Sequence, residues 1–223
     1  MQKDLRDHLM EMISPNRQEL FLELVDKRTK KIAMVLEDIF QSHNAAAVLR
    51  SCDCFGIQDV HIIENRNQFK PHKDIELGSS KWLNISRYGE KEQNTEDCLK
   101  ELKANGYAIA ATTPHTHMTI DELPTDQPIA LVLGTEKQGI SQTVIDHADH
   151  LVRIPMYGFT ESFNISVAAA VSLHSLRSKF IRDSQDLSMT EAEKIEVLIG
   201  WCRNTIKRGN KVIEEYNRRS QDN

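Results

Sequence analysis

Three segments of this chain combine polar side chains with the glycine or small-residue spacing that binding chemistry requires. In SHNAAAVLRSCDCFG (42–56), Asn44 stands where a helix begins and Arg50 follows almost two turns later. A helix cap and a solvated cation would give the same pattern. LVLGTEKQGIS (131–141) runs a buried strand into a glycine loop that holds Glu136 and Lys137, with Gly139 before the next helix. Glycines let a backbone approach a ligand closely, which suits an adenosine cofactor clasped by this loop. It is neither the G-x-G-x-x-G dinucleotide pattern nor a P-loop, which needs Gly-Lys-Ser/Thr. In RIPMYGFTESFNISVAAAVSLHSLR (153–177), Ser162 and Asn164 stand at the mouth of a very regular helix. Its small residues Ser166, Ala168, Ala169, Ala170 and Ser172 suit a dimer seam, a crowded chain crossing or an ordinary buried helix. TPHTHM (113–118) offers His115 and His117 in a His-x-His pair, but no third ligand accompanies it and no metal is expected.

The elements that must position these segments follow from hydrophobic period. Residues 16–30 carry Leu20, Phe21, Leu24 and Val25 at helical spacing. Thereafter short apolar runs alternate with amphipathic ones. Strands are expected at 32–37, 59–63, 107–112, 128–134 and 150–155, and helices at 44–55, 95–105, 141–148 and 164–181. Gly56 and Gly106 fall where helix ends favour positive φ, and Ser141 where a helix wants a cap. Strands apolar on both faces imply a covered sheet, hence an α/β domain with a mainly parallel sheet. The polar segment 182–189 marks a hinge, after which TEAEKIEVLIGWCRNTIKRGNKVIEEYNRR opens with a Thr-x-x-Glu capping signal and predicts one or two terminal helices.

Composition bounds the remaining choices. The chain has 223 residues, 39% apolar and 27% charged, enough for a real core without disulfides or metals and unlike a disordered chain. No stretch approaches a membrane span, and the acids in MQKDLRDHLMEMI do not suit a signal peptide, so a cytoplasmic location is expected. Cys52, Cys54, Cys98 and Cys202 form no C-x-x-C pair, which predicts reduced, mostly buried thiols. A net charge of -5 argues against nonspecific coating of nucleic acid. Basic residues nevertheless cluster early (Arg17, Lys27, Arg28, Lys30, Lys31) and late (Arg203, Lys207, Arg208, Lys211, Arg218, Arg219), as a solvated helix face or a local RNA-binding face would require.

Together and in order, HNAAAVLRSCDCFG, LVLGTEKQGIS and IPMYGFTESFNISVAAAVSL, with GSSKWL (78–83), resemble the SPOUT superfamily of RNA methyltransferases over about residues 33–181. The likeness is to its SpoU-type branch, which methylates ribose 2'-hydroxyls and includes the tRNA guanosine-18 enzymes. The resemblance implies an α/β domain over 32–182 with a C-terminal deep trefoil knot, helical extensions at 1–31 and 183–223, and a homodimer whose sites are completed across the interface. Such a knot is an exception to the rule against threading that periodicity does not reveal. The implied cofactor is S-adenosyl-L-methionine, held in a bent conformation by backbone groups around Gly134, Ile154 and Phe163, with Thr112 at the end of its strand. Phe163 departs from the leucine usual in relatives and would reshape the adenine pocket while keeping it apolar.

By the same resemblance Arg50 is the central catalytic residue, either as a base or as a cation that clamps phosphate and stabilises developing alkoxide. A guanidinium is cationic in almost every protein setting, which favours the clamp. Asn44 would position Arg50 or the substrate, Glu136 would orient partners in the cofactor loop, and Ser162 with Asn164 would hold the ribose-phosphate. Basic terminal helices, without the N-terminal globular domain of ribosomal-RNA members, resemble the tRNA enzymes and imply guanosine 18 of tRNA as target. The alternatives are another RNA position, ribosomal RNA included, or a noncatalytic knotted RNA-binding protein.

Overall fold

The computed structural model describes residues 2–69, 78–91 and 93–221. In chain order its first half contains α1 (Gln2–Glu11), α2 (Pro15–Val25), β1 (Thr29–Glu37), α3 (Ser42–Cys54), β2 (Ile57–Ile63), β3 (Asn84–Tyr88) and α4 (Asn94–Ala104). There follow β4 (Ala108–Thr112), β5 (Ile129–Leu133), α5 (Gln142–His147), β6 (His150–Val152), α6 (Ile165–Arg182), α7 (Glu191–Thr205) and α8 (Gly209–Gln221). They divide into two compact units, residues 29–187 and a second unit in which the chain up to residue 28 joins the chain from residue 188.

In the larger unit the six strands are all parallel, in the order β3-β2-β1-β5-β4-β6. β1 and β5 are buried almost throughout, as a sheet covered on both sides demands. Ile32, Met34 and Leu36 of β1, with Leu131 and Leu133 of β5, pack on one face against Val48, Leu49 and Cys52 of α3 and Ala169, Leu173 and Leu176 of α6. Ala33 and Val35, with Ala130 and Val132, pack on the other against Cys98, Leu99 and Leu102 of α4 and Val144 of α5. The mainly parallel α/β sheet read from the sequence is therefore present.

Several boundaries and elements differ from the periodic reading. β1 begins at Thr29, whose amide donates to the carbonyl of Gly56 (2.9 Å), a residue at φ 67°. α3 begins at Ser42 with Gln41 at its N-cap, so Asn44 is not the cap: its side chain reaches other partners, described below. β3 was not expected; it pairs Asp59–Ile63 with Asn84–Tyr88 at the sheet edge, where half-exposed residues leave no apolar run to read. Ser141 does cap α5, its hydroxyl accepting from the Val144 amide (3.3 Å).

The smaller unit is helical. α1 and α2 pack on α7, burying Leu5, Leu9, Phe21, Val25, Val197, Leu198 and Trp201. Thr190 and Glu193 form the expected capping box at the start of α7. Arg28 is only 6% exposed, its guanidinium 5.3 Å from the Trp201 ring, which removes it from the early basic cluster. Arg203, Lys207, Arg208, Lys211, Arg218 and Arg219 are all exposed. Cys52, Cys98 and Cys202 are buried free thiols and Cys54 an exposed one. Among the described residues, no helix is long and apolar enough to cross a membrane.

Candidate active site

The three segments meet where their strands end. β5 closes at Leu133, and Gly134 turns the chain into a loop in which Thr135 and Gly139 exchange backbone hydrogen bonds (3.0 and 2.9 Å). A Cβ at Gly134 would lie 2.1 Å from the Gly139 carbonyl oxygen and 2.4 Å from the Ile140 nitrogen, so only glycine lets the loop close on itself. Gly139 supplies the return at φ 68°. The loop therefore presents backbone edges and the Glu136 side chain in one fixed arrangement.

Glu136 accepts a hydrogen bond from the Nδ2 of Asn44, which also donates to Gln41 Oε1 (3.1 Å). The Oδ1 of Asn44 in turn accepts from Asn164 Nδ2 (3.1 Å). Asn164 caps α6, its Oδ1 taking the Ser166 amide (2.9 Å) and hydroxyl (2.6 Å). One amide at the start of α3 thus joins residues 92 and 120 positions further along the chain. Arg50 sits on α3 outside this network; it is exposed and, among the described residues, makes no hydrogen bond or ion pair. Asn44 accordingly touches Gln41, Glu136 and Asn164 rather than Arg50.

Beside the network lies a cavity of about 430 Å³. Thr112, Gly134, Ile154 and Phe163, the four residues singled out for cofactor binding, all line it, together with Glu136 and Ser162. Its wall is mixed: Leu133, Val152, Ile154 and Phe163 supply an apolar slot, Glu136 and Glu161 supply negative charge, and Lys137 and Arg153 supply positive charge. Thr112 is tied down, its hydroxyl donating to the Val132 carbonyl (3.0 Å). Phe163 keeps 43% of its surface exposed. His115 lines the same cavity, but among the described residues no three His, Cys, Asp or Glu side chains are grouped to hold a metal.

A further support was not singled out from the sequence. Glu37, 3% exposed at the end of β1, accepts from the Ser141 amide (2.9 Å), the Ser141 hydroxyl (2.7 Å) and the Thr95 hydroxyl (2.8 Å). It pins the starts of α4 and α5 to the central strand. The available signal was an acid closing an otherwise apolar strand run, which a surface position would also explain. A second polar cluster, half-buried His61 and Tyr88 with buried Cys98, lies where α4 packs on β2 and β3. There burial lowers the pKa of His61 below its ordinary value and pushes the Cys98 thiol up to about 12, while His61 Nδ1 stands 3.1 Å from the Tyr88 hydroxyl.

A covered parallel sheet whose loops gather a ligand-sized cavity and a polar network at the C-terminal ends of its strands defines a ligand-binding α/β protein of the open-sheet class. The chain belongs to the SpoU rRNA Methylase family, whose model matches residues 31–174. The resemblance carried by the three motifs is borne out. A tRNA (guanosine(18)-2'-O)-methyltransferase of Borreliella burgdorferi is 37% identical over 200 residues, 89% of this chain and 90% of that protein. A crystal structure of an A. aeolicus TrmH/SpoU tRNA modifying enzyme superposes with a TM-score of 0.76 at 28% identity, covering 86% of this chain and 98% of that one. AviRb from Streptomyces viridochromogenes, solved in complex with AdoMet, shares the fold (TM-score 0.61, 22% identity, 72% and 65% covered).

Proposed function

We propose that this protein transfers a methyl group from S-adenosyl-L-methionine to a ribose 2'-hydroxyl of tRNA, at guanosine 18. The observation that carries the reading is the convergence of Asn44, Glu136 and Asn164 beside the cavity lined by Thr112, Gly134, Ile154 and Phe163. The cavity fits the cofactor chemically: its apolar slot suits adenine, its open backbone edges suit the adenine nitrogens, and its acids (Glu136, Glu161) and cations (Lys137, Arg153) suit a ligand that carries a sulfonium and an ammonium beside a carboxylate. When bound, the cofactor supplies an electrophilic methyl group on that sulfonium.

The chain's own residues then have to align the ribose and stabilise its 2'-oxygen while the hydroxyl proton leaves to water. Arg50, a cation with no partner of its own among the described residues, clamps the adjacent phosphate and stabilises negative charge developing on the 2'-oxygen. Ser162 and Asn164 hold the ribose-phosphate at the mouth of α6, and Asn44 keeps Glu136 and Asn164 in register. The exposed basic residues of α7, α8 and the turn between them track tRNA phosphates.

The reading includes a homodimer that completes each site, a deep trefoil knot formed by the motif-three segment, and action in the cytoplasm. Family membership supports the knot and the dimer. Exposed apolar side chains support the dimer further: Val167 and Val171, one turn apart on α6, are 45% and 37% exposed, and Phe163, Phe159 and Tyr157 in the segment before the helix are exposed as well. A second copy covering them would bring its own residues to the cavity mouth.

The test is transfer of labelled methyl into tRNA and, separately, ribosomal RNA, with mapping of the modified ribose. Label at guanosine 18 that drops roughly 100-fold or more in Arg50→Ala is expected. Label in ribosomal RNA alone would replace the target, and cofactor binding without transfer to either RNA would favour a noncatalytic RNA-binding protein.

A further inference from the structure

A second cavity, of about 540 Å³, shares the glycine loop with the one assigned to the cofactor. It is built from the end of β1 (Glu37, Asp38), the segment after β2 (Asn65, Arg66), the start of α4 (Asn94, Thr95, Glu96) and the loop residues Thr135 and Gln138. Its place in the topology is distinctive. From β1 the chain runs outward through β2 to β3, whereas β5, β4 and β6 occupy the other side of β1. The strand order reverses between β1 and β5, and open parallel sheets bind ligands in the crevice at such a point. Glu37 and Thr135, which follow or end these two strands, form part of its wall.

The cavity is a built one. Glu37 fixes the Ser141 and Thr95 walls, and the Asp38 side chain, on a residue held at φ 56°, accepts the amides of Asn65 (2.7 Å) and Arg66 (2.8 Å). Arg66 itself is exposed, and its Nη1 donates to Gln138 Oε1 (2.9 Å). That partner is neutral, and among the described residues no carboxylate pairs with the guanidinium. The lining is otherwise amides, hydroxyls and carboxylates, donors and acceptors together, rather than the ring of cations a phosphate site wants. Thr135, Gln138, Gly139 and Ile140 line both cavities, so an occupant would lie within the thickness of one loop from the methyl-transfer site.

We propose that this crevice receives the base of an RNA nucleotide flanking the methylated one, with the Arg66 fork reading its edge. RNA is read sequence-specifically through unstacked bases splayed into polar pockets, and an arginine fork bonds two acceptors on a base edge at once. This rests on the tRNA methyltransferase reading and adds to it a subsite for target choice.

The experiment measures tRNA binding, methyl transfer and, by calorimetry, S-adenosylhomocysteine affinity for the full chain and for Arg66→Lys and Arg66→Gln. The RNAs are native tRNA and transcripts with each base flanking the modified position replaced. The wild type is expected to bind one replaced transcript about tenfold more weakly than native tRNA, and both variants to lose that discrimination with S-adenosylhomocysteine affinity unchanged. Arg66→Lys keeps the charge and so separates reading by the fork from general attraction. Discrimination retained in both variants, or equal tRNA binding by all flanking transcripts in the wild type, overturns the subsite while leaving the methyltransferase reading intact. Wild-type failure to methylate tRNA overturns both.

Discussion

The two cavities that share the loop from Gly134 to Ile140 differ in how they are made. The one assigned to the cofactor has an apolar slot with backbone edges and side chains of both charges, and the motif residues Thr112, Gly134, Ile154 and Phe163 line it. The other is polar and is held by Glu37 and Asp38, which belong to none of the motifs. An apolar slot draws a flat ring mainly by removing it from water, whereas a polar crevice repays the loss of water only if its hydrogen bonds are matched. The first property tolerates variation in the bound surface; the second enforces choice. One loop therefore lines both an apolar slot and a polar crevice, whose chemistries suit different kinds of occupant.

Substitutions separate the two sides. Gly134→Ala should damage both, because its Cβ meets the Gly139 and Ile140 backbone and the loop cannot close. A loss of S-adenosylhomocysteine affinity on the order of 100-fold, with tRNA binding also weakened, is expected from calorimetry and filter binding. Unchanged binding on either side would show that the loop is not the shared wall. Asn44→Ala should leave cofactor affinity close to wild type but lower kcat roughly tenfold to 100-fold, since Glu136 and Asn164 lose their common partner. A fall in cofactor affinity as large as that in kcat would make Asn44 a cofactor residue instead. Glu37→Gln should give the smallest change in activity and act on stability: an amide cannot accept all three donors from Ser141 and Thr95, costing about 1–3 kcal/mol in denaturant unfolding. If this carboxylate holds the polar crevice, tRNA binding should weaken more than cofactor binding does.

Much of this architecture was legible because apolar period reports burial. The long strands and helices of the sheet appear as runs or stripes, and Ser141, Thr190 and Gly56 punctuate them through local hydrogen bonds and φ. β3 escaped because an exposed edge strand buries little. Period alone does not mark α1, whose buried Leu5, Leu9 and Met10 form too short a stripe to stand out in a polar stretch, although it falls in the helical extension that the resemblance implies at 1–31. The local pattern marks Asn44 as a cap and the resemblance marks it as a positioning residue, but neither names Glu136 and Asn164, partners that lie 92 and 120 residues away. Arg28 was read among exposed cations, yet Trp201 covers it.

The sequence by itself determined the covered parallel sheet, the glycine loop and the identity of the motif residues, since each follows from side-chain type and spacing along the chain. Only the tertiary structure decided the order β3-β2-β1-β5-β4-β6, the meeting of Asn44 with Glu136 and Asn164, and the crevice at β1 and β5. These depend on contacts between distant segments, whose closure is set by the packing of the whole core and leaves no local period to read.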